Sequence, residues 1–315
     1  MRARCKPFVG LMIVAMFCLT RTGPEAAPKY SDWSAPVLVP NVNSASGELG
    51  PGISKDGNSL YFSSDRPGGF GGADLWVSQR ERATDQWGPS VNLGATINTA
   101  AGELVPAFSR DGHWMYFNSD RPGGYGGLDV WASYRQNTHD DFGWTTPVNL
   151  GANINRSGLD AGASYLASDA DDDDGAGGAL LFFGSDRPGG QGQVDLYVST
   201  RESNGVFGPP TLLPELNSPS NEQRPTIRHD GLEIFFYSSR PGGVGANDLW
   251  VATRETPDHV WNTPENLGPV VNSASNDFHP SLSSDGQTLY FASNRLGGPG
   301  MGDLYVTTRT KRHGR

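Results

Sequence analysis

The sequence predicts an all-β protein, a five-bladed β-propeller with four antiparallel strands per blade, in which the N-terminal strand closes the last blade. Three observations lead there. A block recurs five times, marked by SSDRPGGFGGADLW from Ser63, NSDRPGGYGGLDVW from Asn118, GSDRPGGQGQVDLY from Gly184, YSSRPGGVGANDLW from Tyr237 and ASNRLGGPGMGDLY from Ala292. The spacing inside the block is constant: Arg66, Arg121, Arg187, Arg240 and Arg295 stand eight residues before Asp74, Asp129, Asp195, Asp248 and Asp303. The fifth block lacks its final segment near the C-terminus, and the missing piece, WSAPVLVP, stands at Trp33 instead. Self-similarity at this period marks stacked or radially arranged β units. The displaced segment marks a ring closed by the chain's leading strand, which removes free sheet edges.

Each block reads as four short strands. The first ends in a turn, as in PGISKDG and PAFSRDG, and Asp56-Gly57, Asp111-Gly112, Asp230-Gly231 and Asp285-Gly286 are hairpin signals. The second is LYFSS at Leu60 with its copies MYFNS, LFFGS, IFFYS and LYFAS. The third begins DLWVS at Asp74, with copies DVWAS, DLYVS, DLWVA and DLYVT. Aromatic and β-branched residues of this density suit strands. The fourth lies in WGPSVNLG, WTTPVNLG, FGPPTLLP and WNTPENLG, where proline suits an outer edge.

Residues 1–27 have the make-up of an export signal. Arg2, Arg4 and Lys6 precede an apolar run from Phe8 to Leu19, shorter than the roughly 20 residues a spanning helix needs, and Ala26 and Ala27 offer small residues for cleavage. Pro28 blurs the cleavage point, and the bulky Phe17 before Cys18 argues against a lipid anchor. The expected organisation is a signal over 1–27 and one propeller over 28–315, without a membrane span once the signal is removed, monomeric, and periplasmic or secreted. Both cysteines, Cys5 and Cys18, fall in the signal, so the mature chain has no disulfide or thiol chemistry. Losing four basic residues and one acidic one moves the net charge from −10 to −13. Such an acidic body is unsuited to nucleic acid. The basic end, Lys311 to Arg315, reads as a frayed tail.

The DG turn, the LYFSSDRPGG strand and loop, and the following DLW strand resemble the WD40-like PD40 repeat of TolB-type propellers, over Trp33 to about Arg309. The resemblance implies export and a binding role towards envelope proteins or polymers. Fold alone does not settle function.

Propeller topology puts the glycine-rich DRPGG loops on the same face as the links between blades. The links follow an N-x4-[DE] pattern, from Asn43 to Glu48, Asn98 to Glu103, Asn155 to Asp160, Asn217 to Glu222 and Asn272 to Asp277. Two readings of the five acids stand side by side. They could ring the mouth of a central channel and hold ligand or a hard cation such as calcium. Alternatively, each accepts backbone hydrogen bonds at a blade junction. The Arg–Asp pairs of the loops are expected to staple the loop ends. The loops lead into strands, which excludes a helix-capping phosphate cradle. Arg80, Arg135, Arg201, Arg254 and Arg309 close the third strands on the opposite face and read as structural.

After each acid the sequence varies, and blades four and five carry Gln223, Arg224, Phe278 and His279, expected as a contact surface for an acidic or sugar-like group. An insertion, SDADDDDGAGG from Ser168, spaces Asp169, Asp171 and Asp173 like the start of a calcium loop, but Asp174 and Leu180 stand where its glycine and closing glutamate belong. No GxSxG or HExxH motif occurs. The main expectation is thus an exported, non-catalytic binding module for an envelope protein or a glycan at the carboxylate face. The alternatives are a five-bladed glycoside hydrolase, which needs two carboxylates in unlike environments, and a passive scaffold.

Overall fold

A computed structural model describes residues 29–167 and 178–312. Five four-stranded antiparallel sheets follow one another along the chain. Their innermost strands are Glu48–Ile53, Glu103–Phe108, Asp160–Leu166, Glu222–Ile227 and Asp277–Leu282. The second strands, such as Ser59–Ser64, are buried on both faces, which explains their unbroken apolar runs. Leu60 and Phe62 point towards blade five and Tyr61 towards blade two.

Five apolar clusters lie between successive blades, and one of them joins Leu304 and Tyr290 of blade five to Leu60 and Trp76 of blade one. The core is therefore cyclic. Closure is made by the leading segment: Val37 and Leu38 pair with Val306 and Tyr305 at the outer edge of blade five, and Trp33 packs edge-on against Phe235 at 5.9 Å.

The closing clasp extends further than the sequence suggests. Lys29–Tyr30 pairs with Lys311–Arg312, so these two tail residues form a strand rather than a frayed end. Arg309 explains why: its guanidinium lies 3.7 Å from the Tyr30 ring centre and 4.5 Å from that of Trp33, and it binds buried Glu233 through both nitrogens at 2.8 and 2.5 Å.

The Asp-Gly turns are built alike. In blade one, Asp56 accepts from the Ser54 hydroxyl at 2.6 Å and from the Asn58 amide at 3.0 Å, while Gly57 takes the left-handed conformation, φ 74°. Arg80 then donates from Nε to the Gly57 carbonyl at 2.9 Å. Arg135, Arg254 and Arg309 repeat that bond on Gly112, Gly231 and Gly286, and Arg201 makes its bond to Gly205. These five arginines are structural. The insertion with Asp169, Asp171 and Asp173 lies outside the described residues, as does the expected signal.

Candidate functional site

The link asparagines position the inner strands. Asn98 receives the Leu75 amide on Oδ1 at 2.8 Å and donates Nδ2 to the Leu75 carbonyl at 3.0 Å. A side-chain amide thus stands in for a strand residue and extends the third strand's ladder by one pair. Asn155, Asn217 and Asn272 do likewise, and Asn43 bonds Leu304 at the ring closure. Each link then leads directly into the acid that opens the next inner strand.

Those acids do not ring an open mouth. Glu48, Glu103, Asp160, Glu222 and Asp277 are all 0% exposed. Glu222 is typical: it accepts the Ser218 amide at 2.8 Å, the hydroxyls of Ser218 and Ser238 at 2.6 and 2.7 Å, and Arg240 at 3.0 Å. The acids sit in the blade junctions, where backbone donors and a guanidinium consume their lone pairs. A calcium cage does not fit them, because each already has an arginine as counter-ion. Among the described residues no three His, Cys, Asp or Glu side chains are grouped to hold a metal ion.

The loop pairs also need correcting. Arg66 does not staple to Asp74; it reaches Glu48 at 2.8 Å and the Val42 carbonyl at 2.8 Å, lying over Phe62 and Trp76. Arg121, Arg187, Arg240 and Arg295 likewise choose Glu103, Asp160, Glu222 and Asp277 over Asp129, Asp195, Asp248 and Asp303. The third-strand aspartates instead accept amides of their own loop, as Asp74 does from Phe70 at 2.8 Å. The loop amides hold one oxygen of Asp74 and leave the other without a partner among the described residues, and the guanidinium goes instead to the fully buried link acid, where an uncompensated charge is costly.

Every inner strand carries a bulge two residues after its acid. At this point Gly50, Val105, Gly162, Arg224 and His279 all have positive φ, from 52° to 70°. Left-handed backbone is costly for Val, Arg and His, so the ring geometry imposes it. The bulges bring backbones together: a Cβ on Gly50 would lie 2.9 Å from the Val105 Cα, and one on Gly162 2.8 Å from the Arg224 Cα. The axis is crowded here.

Arg224 and His279 therefore do not form the exposed contact surface expected of them. Arg224 is 3% exposed. It donates from Nη2 to the carbonyls of Pro51 and Pro106, both at 3.0 Å, and Nη1 has no hydrogen-bond partner among the described residues. Partly buried His279 packs between Tyr237 and Phe278, with ring centres 5.4 and 4.8 Å away. Burial, then the neighbouring Arg224 charge, push its pKa down to about 3, so it is neutral at physiological pH. Gln223 is tied to Tyr237 at 2.7 Å.

Below the bulges the channel widens into a pocket of about 280 Å³, lined by the later halves of all five inner strands and by the turns that follow them. It opens on the turn face, opposite the acids. Arg224 is the lining residue nearest the bulges. Lys55, Arg110 and His229 line the turn end. They occupy one repeat position, immediately before the Asp of each Asp-Gly turn, and Ser284 is the fourth copy. None of the lining residues is a carboxylate. The turn aspartates face back into their turns: Asp285 accepts from the Ser283 hydroxyl at 2.5 Å and the Gln287 amide at 2.9 Å. Sequence reading missed this pocket. The available signal was the basic residue before three of four Asp-Gly turns, at a position where the rest of the block repeats.

No family model matches the chain, and no curated protein does. Among solved structures, the chain is similar to the catalytic domain of a GH62 α-L-arabinofuranosidase from Coprinopsis cinerea, with 16% identity and a TM-score of 0.58 over 90% of this chain and 98% of that one. The GH43_1 enzyme from Xanthomonas citri, solved with xylotriose, gives 14% identity and a TM-score of 0.58 over 87% and 89%. TolB from Acinetobacter baumannii gives 17% identity and a TM-score of 0.48 over 84% and 55%. These likenesses are of fold, a five-bladed propeller. They correct the expectation of a non-catalytic binding module at the carboxylate face. The better-matching propellers are glycoside hydrolases, and the link acids of that face are buried and bound to arginines and serines of their own blade junctions.

Proposed function

We propose that the chain is a glycan-processing propeller of the glycoside-hydrolase type, with a sugar entering the axial pocket from the turn face. One observation carries this reading: the pocket to which all five inner strands contribute, closed at the linker end and open at the other. Its volume of about 280 Å³ is near the lower end of ligand sites, which suits one sugar residue rather than a long chain. The fold neighbours act on arabinofuranosides or were solved with xylo-oligosaccharides, which makes pentose-containing glycans the first substrates to test. The PD40-like repeat and the signal-like residues 1–27 fit a protein exported to where such polymers are met.

Hydrolysis needs a proton donor and a base or nucleophile. The turn aspartates Asp56, Asp111, Asp230 and Asp285 directly follow the lining residues Lys55, Arg110, His229 and Ser284. Burial raises Asp56 and Asp285, but hydrogen bonds from Ser54 and Asn58, and from Ser283 and Gln287, outweigh it and hold both below the usual range. Burial likewise raises Asp230, but the hydrogen bonds from Arg228 and the Leu232 amide, together with the charge of Arg228, outweigh it. Ionised acids of this kind suit the nucleophile role. The test is release of sugar from aryl α-L-arabinofuranosides, aryl β-xylosides and arabinoxylan, by wild type and by D56N, D111N, D230N and D285N. Turnover that one of these four variants abolishes supports the reading. A folded wild type that releases nothing from any of them sinks it.

A further inference from the structure

We propose that the axial pocket selects an acidic sugar, a uronic acid residue whose carboxylate docks on the guanidinium of Arg224. The proposal rests on the glycan reading above and names its substrate class. Arg224 is nearly wholly buried, yet no carboxylate is bonded to it among the described residues. The other buried or half-buried arginines of the blade junctions each have one. Two proline carbonyls satisfy Nη2 only, and Nη1 has no hydrogen-bond partner among the described residues. A guanidinium taken out of water without a counter-charge is expensive, and the backbone strain at φ 52° adds to that cost. Blades one and three place glycine at this position without difficulty. The arginine is therefore unfavourable to the fold, as groups held for binding often are.

The chemistry of the pocket specifies the ligand. A planar fork of donors recognises a carboxylate better than a hydroxyl does. Lys55 and Arg110 add positive charge at the mouth, partly offset by the turn aspartates beside them, so Arg224 is the decisive cation. Phe108 and Tyr165 also line the walls and give apolar surface to the faces of a sugar ring. The space is several times that of one small ion, at about 30 Å³ per water-sized occupant, so an inorganic anion alone would leave most of it unfilled.

The experiment is titration calorimetry on the mature chain with methyl glucuronide and methyl galacturonide, against methyl glucoside, methyl galactoside and sodium sulfate. The comparison variants are Arg224→Gly, for which the backbone already has precedent in blades one and three, and Lys55→Ser. We expect a uronide to bind wild type on the order of 10- to 100-fold more tightly than its neutral counterpart, the range given by one charge-assisted hydrogen bond. That preference should vanish in R224G and survive, weakened, in K55S. Equal binding of acid and neutral sugar, no uronide binding at all, or retained preference in a folded R224G would overturn the proposal. So would sulfate binding as strongly as the uronide, which would mean an adventitious ion only. The wild-type comparison stands even if R224G does not fold. Release of neutral arabinose or xylose without uronide preference would leave the hydrolase reading intact and remove this one. Uronide binding without turnover of any glycoside would do the reverse.

Discussion

Arg224 in the fourth blade donates a 3.0 Å hydrogen bond to the carbonyl of Pro106 in the second. The two blades are not neighbours in the ring, so the bond passes through its centre. A matching 3.0 Å bond reaches Pro51 in the first blade. One strained side chain thus ties three blades together at the level where the five bulges crowd the axis, and it forms the floor of the axial pocket.

The link acids should prove structural when altered one at a time. Glu222→Gln leaves Arg240 buried beside a neutral amide, and breaking a buried pair from one side costs about 3–5 kcal/mol. Urea denaturation should show a loss of that order, and Glu103→Gln should match it. A change below about 1 kcal/mol would mean that the ion pair is not a structural strut.

His279 gives the fold an acid limb. Its pKa is about 3 in the folded protein and about 6.5 in an unfolded chain. Between these values the unfolded state binds the extra proton, so stability falls as pH drops from about 6.5, by at most about 1.4 kcal/mol per pH unit. Arg224 and Tyr237 are the other titratable groups beside it, and both keep their protonation in this range. Asp56, Asp230 and Asp285, held low, add losses only below about pH 4. In denaturant melts from pH 7 to 4, His279→Asn should flatten the slope; an unchanged slope would assign it to other groups.

Ring closure can be locked. Val37 and Val306 are cross-strand partners, at a separation that antiparallel pairing makes compatible with a disulfide. V37C/V306C in a chain of residues 28–315, which contains no other cysteine, should oxidise within one molecule and add about 2–4 kcal/mol. Free thiols persisting under oxidising conditions would argue against this pairing.

The clasp should loosen from a single site. Arg309→Ala removes the cation that lies over Tyr30 and Trp33 and leaves Glu233 with Arg228 alone. Hydrogen exchange at the amides of Ser31 and Ser34, bonded to Thr310 and Thr308, should accelerate at least tenfold, while the Phe62 amide in blade one keeps its protection. Uniform acceleration through the chain would mean global destabilisation instead.

The repeat by itself determined the blade count, the four-strand order and the closure by Trp33–Pro40. Each follows from short-range patterning: alternation within a strand, Asp-Gly turns, and a segment displaced from one end of the chain to the other. The link acids were legible as a set of five, and so was their alternative role at the blade junctions. What a sequence spacing does not carry is the choice among partners. Arg66 has Asp74 eight residues away and Glu48 eighteen away, and the fold brings it to the second, while an amide of the loop takes the first. Tertiary structure alone decided that Arg224 and His279 turn inwards. The bulges force a left-handed backbone at their positions, and close approach around the axis puts His279 between Tyr237 and Phe278, and Arg224 on the floor of the pocket, rather than on an open surface. Its basic mouth residues belong to turns far apart in the chain, which only the cyclic packing of five blades makes neighbours.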